Sequence, residues 1–154
     1  MTFKKPTDCT QEESELFKNL VLSGGKIDPI GLEARIKKCR LLGFYYSDSN
    51  ELIGVSAIKQ KGKDSVKQFR AKAKLLAGEI TTTELGYSVT KAEFRGKGIN
   101  RKINDKLLEE IKDEKTYATT DNDTMRKYLT QSGFTKKGSS FKATYNNNLD
   151  YFEK

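Results

Sequence analysis

The sequence predicts a mixed α/β fold around one β-sheet. Three observations predict it. Runs rich in β-branched and aromatic residues recur at 41–46, 52–59 and 80–89. Around them, apolar residues recur at three- and four-residue intervals, the helical period. The segments follow as helices, a hairpin, then strand–helix–strand–helix–strands, an order that wraps helices around a single sheet.

The first helix is predicted over 12–22, where Leu16, Phe17, Leu20 and Val21 share one face and Gly24 and Gly25 stop it. A second is predicted over 27–39, with Asp28 as N-cap, Pro29 in the first turn and Leu32, Ile36 and Cys39 inward. The runs 41–46 and 52–59 flank the polar stretch "SDSNE" and read as a hairpin. In "DSVKQFRAKAKLLAG", Val66, Phe69, Ala73 and Leu76 form the inner stripe. Lys67, Arg70 and Lys74 fall on other faces, turned either to solvent or to an anionic partner. A strand is predicted over 80–89. The clearest helix is 98–113, where Ile99, Ile103, Leu107 and Ile111 repeat every four residues, with Leu108 beside them. "KTYATT" reads as a short strand. The next helix has Asp121 or Asp123 as cap, Met125, Tyr128 and Leu129 inward, and Gly133 as stop. Polar strands close the chain near 140–144 and 149–153.

The 154 residues suit one domain, 1–154, with no internal repeat or linker. Charged residues make up 32% of the chain, and the eight Phe and seven Tyr supply much of the core such a polar chain needs. No apolar run reaches the roughly 18 residues of a membrane span, and the N-terminus has no apolar signal region, so the chain reads as cytoplasmic. Cys9 and Cys39 are the only cysteines, too few for a zinc site, and Cys39 reads as a core residue. The sequence contains no histidine, which excludes Ser-His and Cys-His nucleophilic machinery. Proton transfer must use Glu, Asp, Tyr, Lys or water. The net charge of +8 fits a polyanionic partner, whether nucleic acid or a phosphorylated co-substrate, and equally a lysine-rich solvated surface.

One stretch concentrates the chemistry: "RGKGIN", residues 95–100, between the strand 80–89 and the helix 98–113. Glycines cost backbone entropy inside regular structure. At a strand-to-helix turn they let a ligand approach the backbone. The helix N-terminus behind them carries unpaired N–H groups and about half a positive charge. That combination suits a phosphate or diphosphate. Arg95, Lys97 and Arg101 add mobile positive charge. The stretch is neither a dinucleotide fingerprint, because Arg101 stands in place of the third glycine, nor a Walker loop, because no Gly-Lys-Ser/Thr is present.

"ELGYSVTKAEFRGKGINRKINDKLL" resembles the central motif of the GNAT superfamily of acetyl-CoA-dependent N-acetyltransferases. The family pattern is Arg/Gln-x-x-Gly-x-Gly/Ala, and Arg95, Gly98 and Asn100 occupy its defined positions. Asn100 departs from Gly/Ala. "DNDTMRKYLTQSGF" resembles the motif that follows, with Asn122, Gly133 and Phe134 in its places. The resemblance covers about residues 41 to 141. It implies a splayed mixed sheet, variable N-terminal helices over 1–40, and a cofactor-binding core over 80–135. By the same resemblance, acetyl-CoA serves as co-substrate without a metal. Its diphosphate would lie on the amides of Gly96, Lys97, Gly98, Ile99, Asn100 and Arg101. Its pantetheine would run along the strand near Val89, with Asn122 alongside.

The reaction the resemblance implies is direct attack of an amine on a thioester. A lysine-like amine has a pKa of about 10.4, so a base must take its proton. Glu84 is the candidate base; otherwise it is a strand-edge carboxylate paired with a lysine. Many family members place a tyrosine acid where this chain has Leu129. Tyr128, one residue away, is the candidate acid or else a packed aromatic, and Tyr87 and Tyr117 are weaker candidates. The acceptor stays open between a small-molecule and a protein amine, with a nucleic-acid-linked acceptor less favoured. No membrane partner is expected, and the protein would be a monomer or homodimer. Two other classes remain: a non-catalytic acyl-CoA-binding module, and a basic nucleic-acid-binding domain.

Overall fold

The computed structural model describes residues 1–154. Its contacts divide the chain into two units, residues 1–59 with 85–112, and residues 60–84 with 113–154. Hydrogen-bonded neighbours give one mixed seven-stranded sheet in the order β1-β2-β3-β4-β5-β7-β6. The strands are β1 (Thr2–Lys4), β2 (Cys39–Tyr46), β3 (Leu52–Gln60), β4 (Thr83–Thr90), β5 (Tyr117–Thr120), β6 (Thr135–Ala143) and β7 (Asn146–Glu153). β4 pairs parallel with β5, whereas β1/β2, β2/β3, β5/β7 and β6/β7 are antiparallel. The five helices are α1 (Gln11–Ser23), α2 (Leu32–Lys37), α3 (Lys63–Lys72), α4 (Ile99–Glu110) and α5 (Asp123–Gln131).

The first unit packs α1 and α2 on the hairpin β2–β3. α1 starts at a capping box in which Thr10 accepts from Glu13 N–H and the Glu13 carboxylate accepts from Thr10 N–H. Such caps contribute about 1 kcal/mol. Phe17, Val21, Leu42 and Val55 are fully buried there, and the rings of Phe17 and Phe44 meet edge-on at 5.4 Å. α4 lies on two glycines of the hairpin. A Cβ at Gly43 would sit 2.5 Å from Ile103 Cγ2, and one at Gly54 would sit 2.5 Å from Ile99 Cγ2. The helix therefore approaches the sheet as closely as its isoleucines allow.

α2 is shorter than its sequence predicts. Asp28 does not cap it: its Oδ1 accepts from Ile30 N–H in a turn, and Gly31, at φ 67°, is the N-cap. β1, which pairs with β2, has no counterpart in the sequence reading.

In the second unit, β5, β7 and β6 pack against α3 and α5. Val66, Ala73, Tyr117 and Tyr151 form its core, with the two tyrosine rings stacked at 5.3 Å. Two expectations for α3 are corrected. Leu76 is 90% exposed, because the helix ends at Lys72 and Lys74 turns the chain at φ 61°. Arg70 is buried, ion-paired with Glu153 and donating to Ala77 O. Its guanidinium also lies 5.9 Å from the Tyr151 ring. β6 starts at Thr135, earlier than predicted. Gly138, at φ 65°, lets it pass the Ala73 carbonyl, which accepts from Ser139 N–H at 2.9 Å. α5 is capped by Asn122, not by Asp121 or Asp123, through a bond from Met125 N–H to Asn122 Oδ1 at 3.0 Å.

Candidate active site

The turn between β4 and α4 has the geometry its glycines require. Lys91 N–H donates to Ile53 O, and a short 3-10 turn, Ala92–Phe94, follows. Gly96 and Gly98 have φ of 79° and 71°, the left-handed region where a side chain is strained. Gly98 is the N-cap of α4, and no side chain caps it. The first N–H to bond back belongs to Lys102, which donates to Gly98 O at 3.1 Å. The N–H groups of Gly98 to Arg101 precede it, where helix geometry supplies no carbonyl. A Cβ added at Gly96 or Gly98 would meet nothing within 4 Å. The two glycines thus answer to backbone conformation rather than packing, and the space beside them is open. A helix start that no side chain caps, open space and a positive dipole end fit a diphosphate.

Arg95, Lys97 and Arg101 are exposed around this turn. Arg95 Nε donates to Thr90 O at 3.3 Å, and the Lys97 ammonium lies 5.0 Å from the centre of the Phe94 ring. Asn100, where the family pattern has Gly or Ala, bonds Thr90 and donates through Nδ2 to Val55 O. Its partners hold it against the sheet, so the larger side chain is accommodated there.

β4 itself is irregular. Tyr87 has φ 56° in the middle of the strand, a conformation costing about 1–3 kcal/mol for a non-glycine residue. At that residue the backbone leaves the extended geometry of the strand. Tyr87 is buried, with Phe17 at 6.5 Å edge-on and the Lys59 ammonium 4.4 Å from the ring centre. Two residues on, Val89 packs against Gly24 after α1, its Cγ2 3.1 Å from where a Cβ would stand.

The second unit holds Glu84, 5% exposed at the start of β4 and in register with Tyr117. The Tyr117 hydroxyl donates to Glu84 Oε2 at 3.0 Å. Burial, then the Glu84 charge and that hydrogen bond, push the Tyr117 hydroxyl far above its ordinary range. Tyr117 therefore stays protonated and donating at any working pH. Beside it, Tyr151 is fully buried, and burial raises its hydroxyl too. Tyr128 and Leu129 of α5 are both buried. Asn122 Oδ1 accepts from Met125 N–H in capping α5, which orients its side chain.

Scans of family models and of curated proteins found no match. Solved structures match along the whole chain. An acyl-CoA N-acyltransferase from Pseudomonas aeruginosa aligns with TM-score 0.70 at 11% identity, covering 99% of this chain and 97% of its own. Escherichia coli ElaA aligns with TM-score 0.71 at 11% identity, with the same coverage. A GNAT-family acetyltransferase from Streptococcus agalactiae aligns with TM-score 0.68 at 14% identity, covering 99% and 94%. The chain has the GNAT acyltransferase fold.

On the GNAT fold, the first unit brings together Arg95, Gly96, Lys97, Gly98, Ile99, Asn100 and Arg101 at the start of α4, with Val89 on the strand leading to it. The second unit joins Glu84 to Tyr117 and carries Asn122 at the N-cap of α5 and Tyr128 within it. Two features escaped the sequence reading. The left-handed Tyr87 is hidden because tyrosine is common in strands; Gly86 beside it is the one hint. The pairing of Tyr117 with Glu84 depends on strand register, and sequence spacing does not show it.

Proposed function

We propose that the protein is an N-acetyltransferase that moves an acetyl group from acetyl-CoA directly to a primary amine. The observation that carries this reading is the open, uncapped, glycine-flanked start of α4 on a GNAT fold. The co-substrate would supply the acetyl group as an activated thioester. The amides of residues 96–101 would bind its diphosphate, with Arg95, Lys97 and Arg101 completing charge neutralisation. Amides beside the left-handed Tyr87 would donate to the carbonyl oxygen as negative charge builds on it. Glu84, held by Tyr117, would take the proton the amine sheds. Tyr128 or water would return a proton to the departing thiolate, a modest demand since a thiol pKa is about 8.5.

Thiol release from acetyl-CoA across a panel of small amines, amino acids and peptides tests this. Amine-dependent release supports the reading; no release with any acceptor, together with no CoA binding by calorimetry, would overturn it. A second reading, a non-catalytic acyl-CoA-binding module, draws on Leu129 being fully buried where family members carry a tyrosine acid. Tight CoA binding without turnover would favour it.

A further inference from the structure

Helix α4 carries an apolar row at Ile99, Ile103 and Leu107, continued by its C-cap Ile111, which burial alone explains. Beside it runs a polar pair, Asn100 and Asn104, four residues apart, and Asn104 is fully buried. Both bond β4 residues two apart. Asn100 bonds Thr90, and Asn104 Oδ1 accepts from the Ser88 hydroxyl at 3.2 Å. Four helical residues rise about 6.0 Å and two strand residues about 6.6 Å, so the two rungs match only at one axial setting. Ser56 of β3, also fully buried, extends the lower rung. Its Oγ lies 2.7 Å from Ser88 Oγ and donates to Gly86 O at 3.2 Å. Two hydroxyl protons thus serve three contacts, with the chain running either Ser56 to Ser88 to Asn104 or Ser88 to Ser56 to Gly86. Asn100 Nδ2, bonded to Val55 O, ties the upper rung to the same strand.

Gly86 and Ser88 flank Tyr87, so in the second arrangement Ser56 grips β4 on both sides of its strained residue. Packing alone does not require this. An apolar residue of similar shape in place of a buried hydrogen-bonded pair is often neutral for stability. A polar ladder instead fixes register, because a shifted helix leaves buried groups unpaired.

We propose that Ser56, Ser88 and Asn104, with the Thr90–Asn100 rung, are positioning residues that set the span between the left-handed Tyr87 and the amide donors at the start of α4. The proposal rests on the acyl-CoA reading of that site. Its role is to make one rigid ruler of two half-sites: the helix end for the diphosphate and the strand for the pantetheine and thioester. A linked ligand binds far more tightly than its halves only when both half-sites are held at the linker's span.

The test is calorimetry with CoA and with its nucleotide half, 3′-phospho-ADP, on wild type, Ser56→Ala and Asn104→Leu. Two variants are used because one could fold poorly, and 3′-phospho-ADP reports the intact helix end in each. CoA affinity is expected to fall about tenfold in the variants, while 3′-phospho-ADP affinity stays within about twofold. Amide hydrogen exchange is expected to rise at residues 86–90 in the same variants. CoA affinity unchanged, or both ligands weakened in proportion, would overturn the positioning role and leave the acyl-CoA reading intact. Wild type binding neither ligand would overturn that reading, and the proposal with it.

Discussion

At the residue scale, the proposed function gives ligand binding to Gly98 and proton removal to Glu84. Gly98 holds φ 71° beside open space. Gly98→Glu adds about 1–2 kcal/mol of backbone strain and sets a carboxylate against the expected diphosphate. CoA binding by calorimetry should disappear while the circular dichroism spectrum is retained; unchanged affinity would disprove the phosphate site. Glu84→Gln keeps the shape and removes the proposed base. Turnover should fall about 100-fold with CoA affinity essentially unaltered, and an unchanged rate would move the base elsewhere. The glycine turn was legible because residue type and spacing reveal a helix end. The environment of Glu84 was not: the sequence offered a strand-edge carboxylate, whereas the structure buries it against a hydroxyl that stays protonated.

At the element scale, close approaches of backbone fix where helices lie. Gly54→Ala would drive a Cβ into Ile99 Cγ2 at 2.5 Å, and the branched Ile99 has little freedom to move. A loss of about 1–3 kcal/mol is expected from the denaturation midpoint. Because Ile99 opens α4, CoA affinity should fall too. Gly138→Ala is more severe, since its Cβ would stand 2.1 Å from the Ala73 carbonyl oxygen, a backbone atom. The α5 end of the second unit depends on Asp150, which pairs with Arg126 at 2.7 Å and Lys136 at 2.9 Å and accepts from Ser140. Burial opposes its ionisation, but the hydrogen bonds from Lys136, Ser140 and Arg126 prevail and hold its pKa below the ordinary range. A lowered carboxylate pKa stabilises the fold above the unfolded value, about 3.9, and that contribution fades as pH falls below it. Thermal melts of wild type should lose stability over that acid range more steeply than melts of Asp150→Asn. α1, α4 and the β2–β3 hairpin were readable from periodicity. α2 was misread because Asp28 and Pro29 serve a turn as readily as a helix start, and Leu76 because its spacing extended a helix that Lys74 ends. Arg70 was assigned to an outer face because its partner, Glu153, lies 83 residues away.

At the scale of the whole molecule, the +8 charge and the GNAT fold meet at the start of α4. CoA affinity should weaken as salt rises, since exposed cations are screened over about 8–10 Å at ordinary ionic strength. Binding to tRNA that is salt-dependent but undisturbed by CoA would instead favour a nucleic-acid role. The sheet order follows from strand pairings, none of which is printed in a strand's own residues, so the fold class was legible and the pairings of β1 and β7 were not. No helix is long and apolar enough to cross a membrane. The most direct measurement is a crystal structure with acetyl-CoA bound. The diphosphate oxygens are expected within hydrogen-bonding distance of the N–H groups of residues 96–101. An empty turn, or those donors bonded to the protein's own groups, would contradict the proposed function.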